Sequence, residues 1–217
     1  MKTYGQYCAM ARGLDVVGDR WSLLVVRDLL DGPRRYGELR EGLPGIATNL
    51  LGQRLRDLVE AGVVVHGDDG RYALSAWGEQ LRDVLYALGR WATPLMARPP
   101  GDDGFRVGWL RHLVAIHLGE VDDRRADGVV EVRVGGDVMT VIATGGRVLT
   151  AAGTVGPEPD VVVEGPPDGV GALVIGVVSL PEARRRGVTV TGDAAVLAGL
   201  RPAVGSVPRR AGPTAPG

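Results

Sequence analysis

Cysteine occurs once in 217 residues, as Cys8, which excludes an intrachain disulfide and any zinc finger built on paired thiols. Lysine also occurs once, as Lys2, so the basic side of the charge balance is almost entirely arginine. Neither sign prevails: 25 basic residues stand against 26 acidic ones, a formal net charge of −1. A nucleic-acid partner therefore needs a local basic footprint, since no global one exists. Aromatics make up only 5% of the chain, with Phe105 the one phenylalanine. The longest uncharged stretch, Gly169 to Pro181, falls short of the ~20 residues of a membrane helix. Residues 1–12 carry no apolar core of a secretory signal. A cytoplasmic protein without membrane contact is the expectation.

What is present is globular in kind: 45% apolar and 24% charged residues, which exclude global disorder. The composition changes once, near residue 100, from helical patterning to glycine-punctuated, valine-rich strands. The expected organisation is a first domain over 1–98, a linker over 99–104, a second domain over 105–204 and a disordered tail over 205–217. The linker contains Pro99-Pro100-Gly101-Asp102-Asp103-Gly104, which is turn and linker chemistry.

The first domain reads as helices over 4–17, 21–30, 36–41 and 48–61, with Asp31-Gly32-Pro33 and Leu43-Pro44-Gly45 as terminators. Two strands at 63–66 and 71–74 flank Gly67-Asp68-Asp69-Gly70, a hairpin. A long helix is expected from Ser75 to about Ala97. Helices, hairpin and long helix in that order are those of a winged helix-turn-helix domain. Helix 48–61 has the two faces a recognition helix needs. Leu51, Leu55 and Leu58 share the core face, while Asn49, Gly52, Gln53 and Arg56 share the opposite stripe. Asn and Gln bond adenine bidentately and Arg bonds guanine, and Gly52 lets the helix approach a base edge. Thr48 is a candidate cap, Arg54 lies to the side, suited to a phosphate, and Arg34-Arg35 begin the preceding helix. Arg71 opens the second wing strand, where it reaches phosphate or minor groove; the acidic tip, Asp68 and Asp69, is repelled by DNA. An amphipathic helix with a merely solvated polar face is the plain alternative for 48–61 alone.

Trp77, Leu81, Val84, Leu88, Trp91 and Leu95 fall at spacings 4, 3, 4, 3, 4 along the long helix, the 3.5-residue repeat of a helix–helix seam. Two readings stay open: the stripe covers the domain's own core, or it is a dimer interface. The dimer interface is preferred, because two tryptophans exceed what so small a domain needs.

The run Gly18-Asp19-Arg20-Trp21, Asp31-Gly32-Pro33-Arg34-Arg35-Tyr36, Leu43-Pro44-Gly45-Ile46-Ala47-Thr48-Asn49 and Arg54-Leu55 resembles the HxlR-type winged-helix regulators over about residues 6–97. The resemblance implies a homodimeric bacterial transcription factor on an inverted repeat. Ala47 departs from the family's frequent serine cap and Tyr36 from its usual phenylalanine. The resemblance also makes Cys8 a candidate redox sensor, with Arg12 one turn on as the cation that lowers its pKa; the alternative is a small buried hydrophobe.

The second half reads as a helix over 105–118, strands at 128–134, 138–142, 148–150, 160–163 and 187–191, and helices over 168–179, 182–186 and 193–200. This is an α+β domain, a meander sheet with helices on one face. Gly145-Gly146, Pro159-Asp160-Val161-Val162-Val163 and Gly187-Val188-Thr189-Val190-Thr191-Gly192-Asp193 resemble the sterol-carrier-protein-type domain over 105–204. That resemblance implies a sheet and helices around an apolar tunnel, with Trp109, Leu113, Ile116, Val132 and Val174 as candidate lining. A core of small residues that packs solid is the alternative.

No catalytic constellation is visible, and neither a metal nor a cofactor is expected. His112 and His117, five apart, fall on different helix faces. Arg184-Arg185-Arg186 reads as a solvated helix end. The expected partners are double-stranded DNA, a second copy of the chain and an apolar small-molecule effector. The reading from another class is a carrier or enzyme accessory protein for hydrophobic molecules, its winged helix used for protein contact. The expectation is a regulator, not an enzyme.

Overall fold

The computed structural model describes residues 3–97, 103–119 and 125–200. The chain divides into two compact units, Met1–Tyr86 and Ala87–Gly217. Residues 99–102 of the expected linker and the expected tail lie outside the described residues.

The first unit runs α1 (Ala9–Val17), α2 (Ser22–Leu29), β1 (Arg34–Arg35), α3 (Tyr36–Gly42), α4 (Thr48–Glu60), β2 (Val64–His66), β3 (Arg71–Leu74), α5 (Ala76–Glu79) and the start of α6 (Leu81–Ala92). Its core joins Val25, Val26 and Leu29 of α2, Leu39 of α3 and the leucines of α4. The first helix begins at Ala9, not residue 4. The carboxylate of Asp15 accepts hydrogen bonds from the Thr3 hydroxyl at 3.0 Å and the Tyr4 amide at 2.8 Å, and Gly5 turns at φ +64°, so the arm is drawn out of helical geometry.

Arg34 and Arg35 are strand, not helix. They pair antiparallel with Tyr72 and Arg71, making a three-stranded wing in the order β1-β3-β2. The expected continuous helix after Ser75 is also broken. Ser75 caps α5, its hydroxyl accepting from the Gly78 amide at 3.0 Å, and the helix is interrupted at Gln80 before α6 starts. At Thr93–Ala97 the chain tightens into a 3₁₀ turn, where Pro94 brings no amide for an α-helical bond.

The second unit holds the end of α6, that 3₁₀ turn, α7 (Val107–Leu118), β4 (Gly128–Val134), β5 (Asp137–Thr144), β6 (Arg147–Ala152), β7 (Val161–Glu164), α8 (Pro167–Val174), α9 (Leu180–Arg185), β8 (Thr189–Gly192) and α10 (Ala194–Leu200). The five-stranded sheet has the order β6-β5-β4-β7-β8. Only its first three strands form a meander. β7 lies parallel to β4, Val130 beside Val161 through Arg133 beside Glu164, which corrects the expected meander. Asp160 sets this pairing: its amide donates to the Val129 carbonyl at 3.0 Å while its carboxylate accepts from the Val129 amide at 2.8 Å. Both bonds hold the start of β7 against the central strand.

The alternation of β4 puts Val130, Val132 and Val134 into one apolar cluster with Leu110, Val114 and Leu118 of α7, Leu173 and Val174 of α8, and Leu197 and Leu200 of α10. The opposite sheet face carries Glu131 beside Thr140, both buried beneath the segment after β6. The Thr154 hydroxyl donates to Glu131 at 2.7 Å, the Thr140 hydroxyl donates to the Gly153 carbonyl at 2.8 Å, and the Val155 amide donates to Thr140 at 3.1 Å.

Candidate nucleic-acid interface

A recognition helix needs one face fixed in a core so that the other is presented rigidly. In α4, Leu51, Leu55 and Leu58 are fully buried, and Asn49, Gln53 and Arg56 are exposed on the other side. The turn before it follows from Leu43 and Ile46, both buried, with Gly45 between them at φ +88°, a conformation that favours glycine. The Ile46 amide closes the turn on the Leu43 carbonyl at 3.2 Å. Ala47, not Thr48, is the N-cap, and no side chain caps the first turn. Thr48 is instead the first helical residue, and its carbonyl accepts a hydrogen bond from the Tyr36 hydroxyl at 2.7 Å. Tyr36, where the resemblance implies phenylalanine, thus carries a polar tie from α3 to α4.

The polar stripe is internally bonded. Arg56 Nη2 donates to Gln53 Oε1 at 2.8 Å, and Gln53 Nε2 donates to Asp57 Oδ1 at 2.7 Å. Gly52 leaves its side of the helix open, with the Arg56 guanidinium 3.5 Å from where a Cβ would stand.

Arg54, expected at a phosphate, is engaged within the first unit. Its side chain is only 15% exposed and pairs with Asp19 of the α1–α2 loop and, at 3.4 Å, with Asp57. Its Nε is buried without a hydrogen-bond partner. A guanidinium held by two carboxylates in this way is a structural tie. Two of the residues it engages, Asp19 and Asp57, carry no role in a sequence-level reading. Their one signal was the i+3 spacing of Arg54 and Asp57.

On the wing, Arg71 is flanked by Glu38 at 3.7 Å and Asp69 at 3.6 Å and donates to the Pro33 carbonyl at 3.3 Å. Arg34 stands 4.0 Å from Asp31. Arg35 is exposed, and its guanidinium lies beside Gly70 at the hairpin turn. Glu38 accepts the Arg35 amide at 2.6 Å; that bond, ahead of the Arg71 charge, holds the carboxyl below its usual range. His66 and Tyr72 stack at 4.3 Å on the wing sheet.

The candidate seam splits. Leu81 packs against the first unit's core, whereas Trp77, Val84, Leu88, Trp91 and Leu95 are exposed, Trp91 at 74%. No residue of α6 is buried. Tyr7 in the arm before α1, and Met10 and Leu14 on it, are exposed as well, and Ala11 is the helix's one buried residue.

Cys8 is an exposed free thiol at the N-cap of α1. The backbone amides of Ala11 and then Met10 lower its pKa.

In the second unit, Val132 and Val174 are core residues at 0 and 2% exposure, and Leu113 packs against the same cluster. Trp109 and Ile116 are half-buried. None of the five lines either of the two clearest surface depressions, which lie at the β4–β5 hairpin and between α4 and the wing. His112 is buried and His117 half-buried, 2.9 Å from the Thr93 hydroxyl. Among the described residues no group of His, Cys, Asp or Glu is arranged to hold a metal, and no helix is long and apolar enough to cross a membrane.

Residues 16–99 match the family described as HxlR-like helix-turn-helix. The chain is 36% identical over 90 residues to an uncharacterized HTH-type transcriptional regulator, sll1512, of Synechocystis, covering 39% of this chain and 67% of that protein. It is 36% identical over 99 residues to the uncharacterized HTH-type transcriptional regulator Rv3095 of Mycobacterium tuberculosis, 43% of this chain and 62% of that protein. To YvaP of Bacillus subtilis, another uncharacterized HTH-type transcriptional regulator, it is 31% identical over 88 residues, 38% of this chain and 82% of that protein. The family match ends at residue 99, before α7 begins.

Proposed function

The chain belongs, through residues 16–99, to the HxlR-like helix-turn-helix family, and from that premise we propose that it is a transcriptional regulator binding an inverted-repeat operator in double-stranded DNA as a homodimer. The observation that carries this reading is α4, with its leucines locked into the core and Asn49, Gln53 and Arg56 outward. These are the side chains that read adenine and guanine edges in the major groove. Thr48 and Asn49 lead into the groove, and the exposed Arg35 and partly exposed Arg34 and Arg71 face the backbone. The exposed apolar face of α5 and α6 takes a second copy, as an apolar surface of this kind marks an interaction site. A two-fold axis then sets the half-sites about one turn, ~34 Å, apart.

The test is a duplex selected from a random-sequence pool by the full chain, then titrated against a scrambled duplex over a salt series. A counterion-release slope supports phosphate contacts, and its absence removes the DNA reading. Gln53→Ala and Arg56→Ala lose ~1–3 kcal/mol on the selected duplex alone, and Arg35→Ala weakens both duplexes alike.

Two further assignments belong to this reading. Cys8 is the redox-responsive thiol, supported by its exposure and amide-lowered pKa; a Cys8→Ser variant that responds to diamide like the parent would remove it. The second unit is a sterol-carrier-type effector domain, supported by a sheet and helices that enclose a single apolar cluster. An apolar effector enters only by parting these closely packed side chains, each buried methylene returning ~0.8 kcal/mol. It regulates only by preferring one dimer state. Native mass spectrometry and operator titration before and after delipidation test both points, and unchanged mass and affinity leave the unit a brace.

A further inference from the structure

Five side chains of the first unit form one continuous line. Asp19, in the loop between α1 and α2, pairs with Arg54; Arg54 pairs with Asp57 at 3.4 Å; Asp57 accepts from Gln53 at 2.7 Å; and Gln53 accepts from Arg56 at 2.8 Å. The line starts 35 residues upstream of Arg54 and ends on the two side chains assigned above to base reading. Along it the bonding is directional. A carboxamide has two donor hydrogens and two acceptor lone pairs. The bond to Asp57 uses one donor of Gln53, and the bond from Arg56 uses one acceptor. One donor and one acceptor remain, the pair that adenine's N7 and N6 amino group require. Because Asp57 can only accept and Arg56 can only donate, the amide is held in one of its two flip states. The order of donor and acceptor presented to a base edge is thereby fixed.

Arg54 is what holds Asp57. Its side chain is turned inward to do so, only 15% exposed, and its Nε is buried without a partner, a cost that a freely solvated arginine would avoid. Asp19 is 68% exposed and anchors Arg54 from outside α4, just before Trp21 enters α2 in a left-handed conformation at φ +85°.

Resting on the DNA reading given above, we propose that Asp19, Arg54 and Asp57 are positioning residues that set operator specificity. They lock the amide of Gln53 and, through it, the guanidinium of Arg56 in the base-reading orientation before DNA arrives. Preorganised side chains of this kind avoid the ordering cost at binding.

The sign of the effect separates positioning from simple electrostatics. Asp19 and Asp57 are acidic, and removing an acid from a polyanion-binding face strengthens every duplex if charge alone matters. Positioning demands the opposite on the cognate sequence. The experiment titrates the parent chain, Asp19→Asn, Asp19→Glu, Asp57→Ala and Arg54→Gln against the duplex selected by the parent and against its scrambled counterpart. Each variant is melted alongside the parent to confirm the fold; Asp19, largely exposed, keeps at least one variant folded. For Asp19→Asn and Asp57→Ala the ratio of selected to scrambled affinity falls roughly tenfold, the scale of one bidentate base contact, while scrambled affinity holds or rises. Asp19→Glu keeps most of the ratio. Arg54→Gln lowers the ratio with an unchanged salt slope; a slope reduced by about one marks a phosphate contact instead and overturns the assignment. An unchanged ratio in Asp19→Asn overturns it too. A parent chain that does not distinguish the two duplexes refutes the DNA reading itself, a separate outcome.

Discussion

The Tyr36 hydroxyl reaches the carbonyl oxygen of Thr48 at 2.7 Å and so ties the first residue of α3 to the first residue of α4. No side chain caps α4 at Ala47, and this bond is a polar tie between α3 and the first turn of α4. Tyr36→Phe removes the hydroxyl and leaves the ring. The expected cost is about 0.5–1.5 kcal/mol, the net value of one hydrogen bond. Urea unfolding followed by circular dichroism measures it, and an unchanged midpoint would show the bond to be idle in solution.

The exposed stripe on α6 makes a second prediction. Leu88 is 43% exposed in the single chain, so a charge there is tolerated by the protomer's own fold. In a dimer with this face covered, the same charge is buried against an apolar partner and costs several kcal/mol. Leu88→Glu is therefore expected to give a folded monomer by light scattering, with operator affinity reduced through loss of the second half-site. A folded variant that keeps the dimer mass moves the interface off this helix.

How much of this was legible in the residues depends on how far each signal reaches along the chain. The faces of α4 were readable because Leu51, Leu55 and Leu58 repeat at helical spacing within one element. The hairpin was readable from its Gly-Asp-Asp-Gly turn. The pairing of Arg54 was hidden because Asp19 lies 35 residues away, and nothing local distinguishes a paired arginine from a phosphate contact. β1 was missed for a related reason: two residues make a strand only where a partner, here Arg71 and Tyr72, stands beside them. The parallel placement of β7 was hidden too. A short valine run shows that a strand exists but not which edge receives it, and here Asp160 decides. In the arm before α1, Asp15 took up the Thr3 hydroxyl and Tyr4 amide that a helical reading assigned elsewhere.

His117 carries a pH prediction. Burial, and then the Arg90 charge, hold its pKa below the usual histidine value. The folded state thus prefers the neutral ring, while the unfolded chain protonates near ~6.5. The stability it contributes is complete above that value and is lost as pH falls towards the lower folded pKa. Since the Thr93 hydroxyl also lies 2.9 Å from the Gly89 carbonyl, the neutral His117 ring suits the donor role towards Thr93. Urea unfolding of the parent and His117→Gln between pH 8 and pH 5 isolates the residue from other titrating groups. The stability gap between them is expected to narrow with acid, and a constant gap would remove His117 from the pH dependence.

Glu131 is the most deeply buried charge in the described second unit, at 2% exposure, and both of its oxygens are engaged. One receives the Thr154 hydroxyl at 2.7 Å, and the other the Arg133 guanidinium at 2.6 Å. These bonds, Thr154 first, keep the carboxyl below its usual range, so its contribution is present above about pH 4.5 and fades as pH falls through the folded value. Because Thr154 lies on the segment after β6, the carboxylate straps that segment to the outer face of the sheet. Glu131→Ala is expected to cost about 1–3 kcal/mol, with charge-assisted bonds at the upper end of that range. The strap also makes a local demand. The Val155 amide donates to Thr140 beside Glu131, at 3.1 Å, so its hydrogen exchange is expected to accelerate in Glu131→Ala more than that of the β4 core amides. Thr154→Val loses less, and adding it to Glu131→Ala is expected to cost less than the sum of the two, because they share one bond. Full additivity of the pair, or equal acceleration at Val155 and throughout β4, would mean that Glu131 supports the sheet as a whole and not the segment above it.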